Sequence, residues 1–185
     1  MLSFPVSFSP PPNPELPLPS GIARTYISTP SGHLELLSAI PSPASSSKSP
    51  IIFCHGGFGS ALVWTEWMTY LFQKHQIPCY AVSLRGHGAS WYPNYFRMVF
   101  CTGIGALAGD LVSAVEYIAK ERDGKEVVLV GHSSGGGIVQ HVLSEGMLEG
   151  KGVRVKGMAL CAGSPCFGQY VLPCMVPIYF PGNPC

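Results

Sequence analysis

A chain of 185 residues suffices for one domain with a real buried core, and falls short of the about 250 that several common enzyme folds use. Only 11% of the residues are charged, the formal net charge is +1, and Lys and Arg form no run or stripe. That pattern excludes the electrostatic footprint of a nucleic-acid or acidic-membrane binder and leaves a small molecule as the expected partner.

The first twenty residues contain seven prolines and no Lys or Arg, which neither a signal peptide nor a helix tolerates, so residues 1–20 are expected as a proline-rich disordered arm. Over 23–40, β-branched and aromatic residues alternate with polar ones around Pro30-Ser31-Gly32, predicting a hairpin. After a polar loop at 41–50, "IIFCHGG" reads as a strand covered on both faces. Ser60 is a helix cap in the sequence pattern, with Trp64, Trp67, Met68, Leu71 and Phe72 on one face of the helix that follows. "PCYAVSL" is the next buried strand, ending at the turn "RGHGAS". A looser stretch covers 91–105. Leu107, Leu111, Val115 and Ile118 then repeat at helical spacing until Asp123-Gly124. "EVVLVG" is a strand, a helix from Ser134 carries Ile138, Val139, Val142, Leu143 and Met147, and "VKGMALCAG" is the last strand. Apolar strands joined through helices imply a mostly parallel sheet covered on both faces.

Seven cysteines form no CxxC pair, and Cys54, Cys79 and Cys161 lie in or beside apolar runs, where buried free thiols are expected. An odd count without a secretory signal points to a reducing, cytoplasmic compartment. Pro and Gly interrupt the apolar stretch after 169, so no membrane span is expected.

The chemistry concentrates in "VGHSSGGGIV", residues 130–139. A strand that bends sharply into a helix presents one side chain at its tip, provided the residues two before and two after are small. Gly131 and Gly135 are those neighbours, Ser133 is the candidate nucleophile, and the Ser134 amide at the helix N-terminus would face an oxyanion. "FCHGGFGS" ends an earlier strand in consecutive glycines, so Gly57 or Phe58 is the candidate second oxyanion donor.

His55-Gly56, then Arg85-Gly86-His87-Gly88 with Ser90, then Gly131-His132-Ser133-Ser134-Gly135-Gly136 fall in the order and spacing of one family: over residues 20–165 the chain resembles the α/β-hydrolase superfamily. The resemblance implies a three-layer α/β sandwich with an N-terminal hairpin, about six of the family's eight strands being present, and a cap inserted after the sixth. It also implies a serine nucleophile cleaving an ester, amide or similar acyl bond without metal or organic cofactor. Many members carry Asp where Ser83 stands, a change expected to alter local hydrogen bonding only. The domain is expected over 21–165, and 166–185 as the start of a cap or an irregular tail.

In such enzymes the order is Ser, then an acid, then His. After Ser133 the only acids are Glu145 and Glu149 and the only histidine is His141, and beyond Glu149 there are none of these. His141 lies about 12 Å along the helix from Ser133, too far for a hydrogen bond. His132 should project elsewhere, His87 belongs to the turn motif, and His55 is a remote substitute base. The sequence therefore reads as a truncated hydrolase, inactive or weak as it stands because the triad acid and His are missing, for a small hydrophobic acyl substrate, the hydrophobic character being what the aromatics Phe58, Trp64, Trp91, Tyr92 and Phe96 favour. The alternative is a non-catalytic scaffold or interaction protein. The last strand becomes a sheet edge, where self-association is expected.

Overall fold

The computed structural model describes residues 16–41, 48–94 and 96–163. The expected arm lies outside these residues except for 16–20, and the expected tail over 166–185, with Cys166, Cys174 and Cys185, lies outside them entirely. Among the described residues six strands form one sheet: β1 (Ala23–Thr29), β2 (Gly32–Ala39), β3 (Ile51–Cys54), β4 (Cys79–Val82), β5 (Val127–His132) and β6 (Val155–Cys161). Their order is β1-β2-β4-β3-β5-β6. β1 and β4 each pair antiparallel with β2, while β4/β3, β3/β5 and β5/β6 are parallel. Three helices cover it: α1 (Thr65–His75), α2 (Ile104–Glu121) and α3 (Ser134–Ser144).

The continuous apolar runs are explained by two cores. Successive strand residues point to opposite faces, so Leu36, Ile52 and Leu129 join Leu111, Val115, Ile118 and Val139 on the α2–α3 side. Their neighbours Leu37, Phe53 and Val130 join Trp64 and Met68 on the α1 side. The result is the three-layer arrangement, with the carboxyl ends of β3, β4 and β5 side by side. Among the described residues no helix is long and apolar enough to cross a membrane.

Local chemistry sets the boundaries. In the hairpin, Thr29 Oγ1 donates to the Gly32 carbonyl at 2.7 Å, and the Trp91 indole fills the space where a Gly32 side chain would stand. Asp123 and Gly124, both at positive φ, end α2. Ser60 does cap a helix, but a 3-10 turn over Ala61–Trp64, its Oγ accepting from the Leu62 amide at 3.3 Å; α1 continues from it.

Four expectations are corrected. Trp67 sits at the rim of the α1 stripe and is exposed, edge-on to the buried Trp64 at 6.3 Å. Residues 91–105 contain a π-helical turn at Arg97–Cys101. α3 ends at Ser144, before Met147, because Gly146 turns at φ 60 and brings Leu148 into the core. Cys54 and Cys79 are buried thiols, whereas Cys161 at the sheet border is only partly covered.

Candidate active site

Ser133 stands between β5 and α3 with φ 52 and ψ −124, a backbone conformation that a side chain adopts only when its surroundings hold it there. Its amide donates to the Cys161 carbonyl at 3.1 Å and its carbonyl accepts from the Gly136 amide at 2.9 Å. Steric space explains the glycines. A Cβ on Gly131 would come within 2.6 Å of the Gly135 carbonyl oxygen and the Gly136 Cα. One on Gly135 would overlap the His55 carbonyl and lie 2.6 Å from that of Cys54. Two further glycines belong to the same set: a Cβ on Gly56 would meet the Ser133 Cβ at 2.9 Å, and one on Gly136 would meet the Gly163 Cα at 2.9 Å. Their signal in the sequence was the length of the glycine runs.

β3 delivers its carboxyl end to this bend. The Gly57 amide donates to Ser134 Oγ at 2.7 Å, so the structure brings Gly57 and Ser134 together. Phe58, at φ 61, carries its ring fully into solvent. No acidic side chain occupies the first turn of α3, leaving its N-terminal amides to favour an anion.

His55 is not a base at this bend. It is buried; its Nδ1–H donates to the Gly56 carbonyl at 2.7 Å and its Nε2 accepts from the Leu84 amide at 3.1 Å. Burial drives its pKa from the ordinary 6.5 down to about 4, so it is neutral and both nitrogens are committed. The thiol of Cys54 is no rival nucleophile, since burial pushes it up to about 12. His132 is exposed and meets Trp64 edge-on, with ring centroids 6.4 Å apart. His87 Nδ1 bonds the Arg85 carbonyl at 2.9 Å and its ring lies 4.9 Å from that of His55.

The RGHG turn is fastened by buried carboxylates. Asp110 of α2 accepts from the Arg85 amide at 3.0 Å, from Nε at 2.8 Å and from a terminal guanidinium nitrogen at 2.7 Å. This hydrogen bonding raises the Arg85 pKa further. Ser83 donates to Glu35 Oε2 at 2.7 Å and accepts from the Ala61 amide at 2.9 Å. Glu35 also takes the Ala89 amide at 3.0 Å and Arg24 Nε at 2.7 Å. A carboxylate is therefore present where Ser83 departs from the family pattern, but it comes from β2.

A cavity of about 240 Å³ adjoins Gly57 and Ser134, walled by Leu84, His87, Ile104, Leu107 and Ile138. The aromatics expected at a pocket lie elsewhere. Trp64 stacks on Phe53 at 4.6 Å in the α1-side core, Trp91 lies under the Arg85 guanidinium, and the exposed Phe96 pairs with Phe100. Phe58 and Tyr92 line a separate cavity of about 590 Å³ that reaches Arg24 and Glu35. Among the described residues no cluster of three metal-ligating side chains occurs.

A sheet of this order with a strained residue at the β5–α3 bend defines an α/β hydrolase scaffold. The chain belongs to the alpha/beta hydrolase family, whose model matches residues 51–183. It is 30% identical over 105 residues to protein phosphatase methylesterase 1 of Bos taurus, covering 56% of this chain and 26% of that one, and to its Mus musculus counterpart over the same shares. The chain thus spans about a quarter of the length of these relatives. Among solved structures it is similar to the Cif epoxide hydrolase of Acinetobacter nosocomialis (TM-score 0.60, 17% identity, 78% of this chain and 39% of that). It is also similar to an epoxide hydrolase of Vigna radiata (TM-score 0.58, 17% identity, 76% and 38%). A thioesterase domain from the curacin biosynthetic pathway aligns with TM-score 0.57 at 19% identity, over 75% and 45%. At these identities the structures share the fold alone.

Proposed function

We propose that this chain carries the nucleophile half of a serine hydrolase acting on an ester or related acyl bond. The observation that carries the reading is Ser133 itself: a non-glycine residue held at positive φ between a strand and a helix N-terminus, beside the end of β3. Such strain persists only where surrounding contacts over-determine it, and it concentrates at functional sites. Sequence likeness to methylesterases favours ester chemistry, and a serine stands where epoxide-opening relatives use a carboxylate nucleophile.

The step runs as acyl transfer. Ser133 Oγ bonds the acyl carbon while its proton passes to a base, and the carbonyl electron pair moves onto oxygen. Collapse breaks the bond to the leaving alcohol, which takes the proton from the base. Water then repeats the sequence on the acyl-serine, releasing the acid. In this fold the base and the acid that orients it follow the nucleophile in chain order. The aliphatic cavity beside Ser134 is the acyl pocket.

A fluorophosphonate probe tests this. Covalent labelling is expected on the parental chain and absent from Ser133→Ala. A folded parental chain that takes no label supports the scaffold reading instead, which the committed nitrogens of His55 favour. Weak turnover without a base is compatible with the enzyme reading, because oxyanion contacts alone retain some rate.

A further inference from the structure

An amide has one hydrogen, and Gly57 gives its hydrogen to Ser134 Oγ at 2.7 Å. An N–H aligned on one oxygen has no good bond left for a second. In this arrangement Gly57 does not face a substrate oxygen directly; the Ser134 hydroxyl stands in between. That hydroxyl has a proton of its own to donate. Ser134 is exposed, opens α3 and lines the aliphatic cavity, and among the described residues no acceptor takes its proton.

On the serine-hydrolase reading above, we propose that the side chain of Ser134 is itself an oxyanion donor. The Gly57 amide polarises the hydroxyl, and the hydroxyl proton, next to the Ser134 amide, meets the negative charge that develops on the acyl oxygen. Linked hydrogen bonds strengthen one another, and an O–H donating to an anionic oxygen is shorter and stronger than a neutral pair. The residue after the nucleophile thus contributes two donors, one from backbone and one from side chain, and Gly57 acts through the second. A hydroxyl that merely blocks Gly57 makes the opposite prediction: its removal would free the amide and raise the rate.

The test uses the full chain and the rate of fluorophosphonate labelling at Ser133, followed by intact mass, with thermal midpoints to show that the variants fold. Ser134→Ala is expected to label about tenfold more slowly, less than the roughly hundredfold loss of a donor removed outright, because the freed Gly57 amide takes over in part. Ser134→Thr keeps the hydroxyl and should restore most of the rate. Independently of reactivity, the Gly57 amide proton should shift upfield by NMR in Ser134→Ala. The proposal is overturned if Ser134→Ala labels at or above the parental rate, if Ser134→Thr is no faster than Ser134→Ala, or if the Gly57 resonance does not move. A parental chain that never labels refutes the serine reading and this inference together. Labelling lost only in Ser133→Ala leaves that reading standing while the Ser134 variants decide.

Discussion

The turn after β4 and the bend after β5 leave strands that flank β3, and they are held in opposite ways. Residues 85–90 are gripped by charge: Asp110 takes three hydrogen bonds from Arg85, and Glu35 takes Ser83, Ala89 and Arg24. Residues 131–136 are gripped by the absence of side chains, with backbone packed directly on backbone. His55 joins the two, its ring bonded to the Leu84 amide and its carbonyl against Gly135. A polar grip can be retuned by a compensating charge elsewhere. A grip made by close approach cannot, because there is nothing to exchange.

The largest effect expected from this difference is at Gly135. Its substitution by Ala drives a methyl group into the carbonyls of Cys54, which is fixed in the sheet register, and of His55 directly after it, and should cost more than about 4 kcal/mol. Urea unfolding and soluble yield measure it; a variant within about 1 kcal/mol of the parent would end the claim that close backbone packing shapes the bend.

Next comes the joint. The unfolded chain binds a proton on His55 near pH 6.5, while the folded chain refuses it until about 4. The stability contributed by the neutral ring is therefore complete above pH 6.5 and is lost as pH falls toward 4, by up to about 3 kcal/mol. Urea midpoints at several pH values should decline across that window, and His55→Asn, which cannot titrate, should show a shallower decline. Equal slopes would remove His55 as the cause.

The smallest effect is the most discriminating. Ser83→Asp installs the residue common in the family, yet it sets a second carboxylate against Glu35 Oε2, so a loss of about 2 kcal/mol is expected. Adding Glu35→Gln should recover much of it, a coupling that a double-mutant cycle reads directly. A stabilised single variant would show that the polar grip does not depend on Glu35.

The bend was legible in the sequence because its requirements are local: Gly131 and Gly135 flank Ser133 by two residues each, and strand and helix patterns adjoin them. The alternation of apolar strands and helices gave the layers for the same reason. The polar grip was not legible. Glu35 and Ser83 are 48 residues apart and Arg85 and Asp110 are 25 apart, and the one side-chain bond at the bend, Ser134 with Gly57, spans 77. Nothing in periodicity links such positions. The cavity walls were missed on similar grounds, since Leu84, Leu107 and Ile138 look like any core residue until three elements converge. A helical pattern does not separate Trp67 from the buried stripe, because a stripe's rim and its centre differ by only a fraction of a turn.

The single bond from the Ser133 amide to the Cys161 carbonyl makes β6 more than a border. It is a tether, so fraying of β6, the outermost of the described strands on this side, would slacken the backbone under the serine. Hydrogen exchange at Ser133 and the seating of β6 should therefore rise and fall together, making the sheet's rim a remote handle on reactivity.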